Sequence, residues 1–281
     1  MARDPDPGAI PTSRLIAGRV TVLVVLGLVA ALIFVFARML LIRPETGREV
    51  GVDSPLAQQC PGVEEAVLAG AERLRLTGAG GTALGGALIG PADATHGVVV
   101  RQGAAQTICN WLPWAAATAA ETGARVLLFD RRGRGSSPAE PNVALEPEDT
   151  ALAVATLREA GVERVALVAS SMGNAVAYAA LPLIDPAPCA VVSISPVLTA
   201  SDDAGSARGD ALESLADTTW LTWETQDRGI AANVDAIRAA LQAQGRAAPR
   251  ELPVDTGDHS MALLENHADV AAFVRDAASC A

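Results

Sequence analysis

The chain has 281 residues and a formal charge of −11; its 21 basic residues are all Arg, its acids number 32, and half of it is hydrophobic. That length holds one large domain and a tail, and a mean hydropathy of +0.29 points to a membrane segment as well. Residues 1–43 contain five Arg and two acids, which leaves 16 Arg against 30 acids, a formal −14, in the rest; such a surface repels phosphate backbones and excludes nucleic acid as a partner.

Residues 1–14 carry Pro, Asp and Arg and read as a disordered N-terminal tail. Residues 20–37 are free of charge over 18 positions, and apolar flanks extend the stretch to 15–42. At ~1.5 Å per residue the uncharged part alone covers ~27 Å, and the flanks carry it past the ~30 Å bilayer core. Arg19 and Arg38 can reach the two interfaces with their head groups. Val35-Phe36-Ala37 is a poor cleavage site, so 15–42 is predicted to be an uncleaved transmembrane anchor. Three Arg precede the uncharged stretch 20–37, and Arg38, Arg43 and Arg48 follow it, so the positive-inside rule does not orient it. Residues 43–65, with Pro44, Gly47, Gly51, Pro55 and Pro61, read as a linker, and 66–281 as the globular domain.

Within that domain, 71–76 and 82–89 flank Thr77-Gly78-Ala79-Gly80-Gly81 and predict a hairpin. Val98-Val99-Val100 and 125–129 are short apolar runs suited to buried strands, with an Ala-rich helix over 111–121 between them. A helix is predicted over 146–160, with acids in its first turn. Further strands fall at 165–168, 190–194, 218–223 and 250–254, and further helices at 233–244 and 261–278. Strands alternating with helices predict right-handed crossovers and a mostly parallel sheet covered on both faces.

The chemistry centres on residues 165–177, V-A-L-V-A-S-S-M-G-N-A-V-A. A buried strand, two serines, a glycine and an Ala-rich helix make a strand-turn-helix with a serine at the apex, the nucleophile elbow. The turn is tight and demands small residues two places on either side of the serine; Ala169 and Gly173 supply them around Ser171. Ser170 is the weaker candidate, because Met172 stands two places beyond it. The competing reading of this segment alone is an ordinary strand-turn-helix with an incidental serine.

With its neighbours, the segment resembles the α/β-hydrolase family. D-R-R-G-R-G-S-S at 130–137 looks like the family's D-x-R-G-x-G-x-S loop, whose role is mostly structural; Ser171 matches its nucleophile, and His259 in T-G-D-H-S matches its general base. Asp227, in W-E-T-Q-D, lies where the family places its acid, with Asp202 and Asp203 after the sixth strand as the alternative. The order Ser, Asp, His is the family's. C-N-W-L-P-W-A and H-S-M-A-L-L further resemble small, nearly capless, dienelactone-hydrolase-like bacterial members. The resemblance implies an α/β-hydrolase fold with an eight-stranded sheet and a catalytic triad Ser171, Asp227 and His259. It also implies an oxyanion hole of the Ala104 and Met172 N–H groups. Two positions depart from the pattern: Arg101-Gln102-Gly103-Ala104 stands where His-Gly is usual, and Glu224 replaces a glycine of the seventh-strand loop. His96, before a strand, and His267, in E-N-H-A-D, read as surface histidines, and Asp258 as a solvated neighbour of His259.

These features predict a membrane-anchored serine hydrolase acting on a small-molecule ester or thioester, with a minimal cap over residues 196–215. The alternative is a catalytically weak or inactive member serving as a binding or scaffolding domain. No metal cluster, phosphate loop or dinucleotide fingerprint is present in the sequence, so no cofactor is expected. The four Cys all follow the anchor. In the expected fold Cys189, opening a strand, and Cys280, closing the last helix, meet at the end of the sheet away from the active site. Pairing them leaves Cys60 with Cys109. Disulfides persist in oxidising compartments, which predicts a catalytic domain outside the cytoplasm.

Overall fold

The computed structural model describes residues 47–209, 212 and 218–280. The tail and the transmembrane anchor expected over 1–14 and 15–42 lie outside the described residues. Among those described, no helix is long and apolar enough to cross a membrane.

Two short helices, α1 (Leu56–Gln59) and α2 (Glu65–Ala69), precede the hairpin β1 (Ala71–Thr77) and β2 (Ala83–Ile89). There follow β3 (His96–Arg101), α3 (Ile108–Thr122), β4 (Arg125–Phe129), α4 (Glu146–Glu159), β5 (Arg164–Ser170), α5 (Gly173–Ala180) and β6 (Ala190–Ile194). A small hairpin, β7 (Thr199–Asp202) and β8 (Gly205–Arg208), leads toward β9 (Thr219–Glu224). The chain closes with α6 (Arg228–Ala243), β10 (Arg250–Val254), α7 (Met261–Asn266) and α8 (Ala268–Ala278).

Eight strands form one sheet in the order β1-β2-β4-β3-β5-β6-β9-β10. β2 pairs antiparallel with β1 and β4, and every other pairing is parallel, as the alternation of strands and helices predicts. Apolar residues of the central strands alternate between two cores, because successive side chains leave a strand on opposite faces. Val98, Val100, Val126, Leu128, Ala166 and Val168 face α3 and α8. Val99, Leu127, Phe129, Val165, Leu167 and Ala169 face α4, α5 and α6. Sites in such sheets form beyond the carboxyl ends of the strands, and all the segments considered below leave those ends.

Three differences from the expected elements have local causes. The closing helix is two: His267 adopts an extended conformation between α7 and α8. The hairpin β7–β8 was not expected; it packs Ala200 and Ala207 against Ala175 and Val176 of α5, beside Val143. Part of the segment read as a linker belongs to the fold. Leu56 and Cys60 are buried in the core, Arg48 N–H donates to the Gln59 carbonyl and Val50 N–H to that of Gly135. Gln59 Nε2 also donates to the buried Asp130 carboxylate, at 2.6 Å.

Asp130 anchors the loop that follows β4. Its carboxylate accepts from Ile108 N–H, Ser136 N–H and the Ser136 hydroxyl. Burial pushes its pKa up, and these donors oppose that shift. Gly135 has φ +53, and a Cβ there would meet the Asp130 carboxylate at 2.4 Å, so this turn requires glycine. Arg132 closes the loop with a bidentate pair to Asp149. The loop thus positions the N-terminus of α3 and has the structural role expected of it.

Both disulfides join the expected partners, Cys60 with Cys109 and Cys189 with Cys280. The first ties the 47–60 segment to the start of α3. The second ties the end of α8 to the residue before β6.

Candidate active site

Ser171 follows β5 at the apex of the turn into α5, with φ +51. A non-glycine residue is held in that region only where its surroundings fix it. Here Ser171 N–H donates to the Ile194 carbonyl, and Asn174 Nδ2 donates to the Ser171 carbonyl at 3.0 Å. The small flanking residues have a direct cause. A Cβ on Gly173 would lie 2.2 Å from the Arg101 carbonyl oxygen, and Ala169 is fully buried. The hydroxyl of Ser171 is left projecting beyond the sheet, whereas that of Ser170 is buried against the Ser260 hydroxyl.

His259, five residues beyond β10, reaches Ser171: its Nε2 lies 2.8 Å from Ser171 Oγ. Its Nδ1 lies 2.5 Å from Glu224 Oε1. Glu224 is the last residue of β9, its side chain 1% exposed. Its second oxygen, Oε2, accepts from the Ser195 hydroxyl at 2.6 Å, and Ser195 Oγ in turn accepts from Ser260 N–H at 2.9 Å. Serine, histidine and carboxylate therefore form a continuous hydrogen-bonded line, with the outer carboxylate oxygen satisfied by a buried hydroxyl. Glu224 raises the His259 pKa above its ordinary value, first through the hydrogen bond and then through its charge; partial burial opposes this, and Asp227 adds a smaller electrostatic contribution.

The acid expected at Asp227 is not on this line. Asp227 is the N-cap of α6, and its Oδ1 accepts from Gly229 N–H at 2.7 Å and from Ile230 N–H at 3.2 Å. Its side chain satisfies two of the four unpaired donors that open a helix. The alternatives are also engaged elsewhere: Asp202 accepts from Val143, Ala204 and Gly205 N–H groups. Asp203 lies in the turn between β7 and β8. Asp258 accepts from Asn266 and lies 3.1 Å from His267 Nε2. The Asp258 carboxyl is held below its usual value, first by the Asn266 contact and then by His267. His96 sits at the opposite end of β3, away from this cluster.

Glu224 was legible as a departure from the family pattern but not as the carboxylate that meets His259. The signal was its position: as the final residue of a buried strand, it reaches the carboxyl edge directly, whereas an acid three residues later begins the next helix.

The loop after β3 passes close to Ser171. A Cβ on Gly103 would lie 3.2 Å from Ser171 Cβ. Gln102, in place of the expected histidine, turns inward and donates from Nε2 to the Phe129 carbonyl at 2.6 Å. Gly103 N–H is taken by Gln106 Oε1 at 2.8 Å. Ala104 is exposed next to it, and its carbonyl accepts from Arg131 Nη1. Met172 follows Ser171 at the N-terminus of α5, where N–H groups have no helical acceptor. Beneath the loop, Arg101 is fully buried, pairs with Glu146 at 2.6 Å and lies over the Phe129 ring.

The model of the alpha/beta hydrolase family matches residues 96–256, more than half of the chain, and the chain belongs to that family. No curated protein matches the sequence. Among solved structures, an esterase from Pyrococcus furiosus is 13% identical and superposes with a TM-score of 0.61 over 83% of this chain and 98% of that one. An α/β serine hydrolase without a lid from Xanthomonas campestris is 20% identical, with a TM-score of 0.56 over 74% of this chain and 93% of that one. An esterase from Pyrobaculum calidifontis is 14% identical, with a TM-score of 0.56 over 74% and 85%. At such identities the likeness is one of fold.

Proposed function

We propose that the protein is a serine hydrolase that cleaves a small ester or thioester through an acyl-enzyme. Ser171 is the nucleophile, His259 the general base and Glu224 the triad acid. The observation that carries this reading is the line from Ser171 Oγ through both His259 nitrogens to Glu224. As the Ser171 oxygen attacks the acyl carbon, its proton passes to His259 Nε2. Glu224 holds Nδ1–H and stabilises the imidazolium that forms. The tetrahedral oxyanion is met by the N–H groups of Ala104 and Met172. Collapse of the intermediate expels the alcohol or thiol, protonated by His259, and water then releases the acid by the same steps in reverse.

The His259 side chain is 43% exposed, and the β7–β8 hairpin lies against α5. An open site of this kind suits short or protruding acyl groups better than long chains that need an enclosed pocket. The lidless hydrolase among the similar folds supports that reading. The enzyme is held at a membrane by residues 15–42 with its catalytic domain outside the cytoplasm, a placement supported by the two disulfides.

The test is hydrolysis of p-nitrophenyl esters from acetate to decanoate by the full chain in detergent. Wild type turns over the short esters fastest, and Ser171→Ala abolishes turnover. A wild type without activity on any ester, or a Ser171→Ala variant as active as wild type, contradicts the proposal.

A further inference from the structure

We infer that Gln106 is the positioning residue of the oxyanion loop, acting through the Gly103 N–H and the Ser260 hydroxyl; the inference rests on the hydrolase reading above. Three hydrogen bonds converge on this half-buried amide. Oε1 accepts from Gly103 N–H at 2.8 Å and from Trp111 Nε1 at 3.0 Å, and Nε2 donates to Ser260 Oγ at 2.8 Å.

The consequences follow from what each partner adjoins. Gly103 precedes Ala104 and lies against Ser171. Capturing the Gly103 N–H inward leaves the next N–H, that of Ala104, for the substrate oxygen. Ser260 follows His259, has φ +62, and links through Ser195 to the outer oxygen of Glu224. One side chain therefore fixes the oxyanion loop on the segment that carries the base, so that donor and base keep one spacing around Ser171. In a chain with Gln102 turned inward to Phe129, this amide takes over the fastening of the loop. An amide suits the task because it accepts at one end and donates at the other without bringing a charge beside a developing oxyanion.

The experiment compares wild type with Gln106→Met, which keeps the volume but none of the three hydrogen bonds, and with Gln106→Ala. Trp111→Phe serves as control, removing the other donor to the same oxygen without touching Gly103. Each is assayed for kcat and KM on p-nitrophenyl acetate, for inhibition by a trifluoromethyl ketone, whose hemiketal alkoxide occupies the oxyanion site, and for thermal midpoint. Loss of one oxyanion donor costs ~10²–10³ in rate, so displacement of the loop should lower kcat by ~10- to 100-fold. KM should stay within about threefold, since the loss falls on the transition state. Affinity for the ketone should fall in step with kcat, and Trp111→Phe should keep kcat near wild type. Gln106 variants with unchanged kcat and ketone affinity overturn the inference while leaving the hydrolase reading intact. A Trp111→Phe variant as impaired as Gln106→Met also overturns it, because general loosening would then explain both. Wild type inactive on every ester overturns the hydrolase reading and the inference with it.

Discussion

Glu224 and Asp227 lie three residues apart and do different work. Glu224 meets His259 Nδ1 from the end of a buried strand, and Asp227 caps a helix. Glu224→Gln keeps the shape but removes the charge that orients and stabilises the imidazole; kcat should fall on the order of 10²–10⁴-fold. Asp227→Asn, which can still cap, should leave kcat within about threefold. Steady-state kinetics on a short ester separates the two, and equal losses would contradict the assignment. The pH profile gives a second reading. The base must be neutral to take the Ser171 proton, and Glu224 raises the His259 pKa. The acidic limb of kcat/KM should therefore lie above the ordinary histidine value of ~6.5, with activity lost as pH falls through it. In Glu224→Gln the residual activity should show that limb moved to lower pH, because its main raising influence is gone.

At the scale of elements, the elbow was legible because its constraint is steric and local. Gly173 lies against the Arg101 carbonyl, and sequence spacing alone reveals that need for a small residue. Gly173→Ala should destabilise the fold by about 1–3 kcal/mol through overpacking. It should also lower activity, since relief would push apart the two loops that flank Ser171. Thermal melts and kinetics of the same preparation check both. His259 was legible for a similar reason, standing in a loop just beyond a strand's carboxyl end. The acid was not, because the choice between Glu224 and Asp227 depends on where β9 ends and α6 begins, and boundaries are poorly marked by propensity. The strand runs one residue past the predicted 223, and that residue is the carboxylate in question. Ser195 and Gln106 left no such trace: their roles arise from hydrogen bonds to residues 65 and 154 positions away.

For the whole molecule, the sheet and its two cores were readable from the apolar runs, since alternation along each strand divides the residues between faces. The participation of residues 47–60 was not, because proline and glycine mask a segment held by contacts distant in sequence. Gln59 reaches Asp130, and Cys60 reaches Cys109. A chain begun at residue 66 should therefore melt well below one begun at 47, as differential scanning calorimetry would register. The disulfides close loops of 49 and 91 residues, for which the chain-entropy account gives about 4–5 kcal/mol each. Thiol titration of the unfolded, unreduced protein should find none free, and reduction should lower the melting temperature; four free thiols would contradict the extracytoplasmic placement.

The central claim is that Ser171 is a nucleophile activated by His259. It is tested most directly by a fluorophosphonate probe, followed by proteolysis and mass spectrometry of the labelled peptide. The adduct should lie on Ser171, be absent in Ser171→Ala and form far more slowly in His259→Ala. Failure of the wild type to react, or an adduct on Ser170, would contradict it.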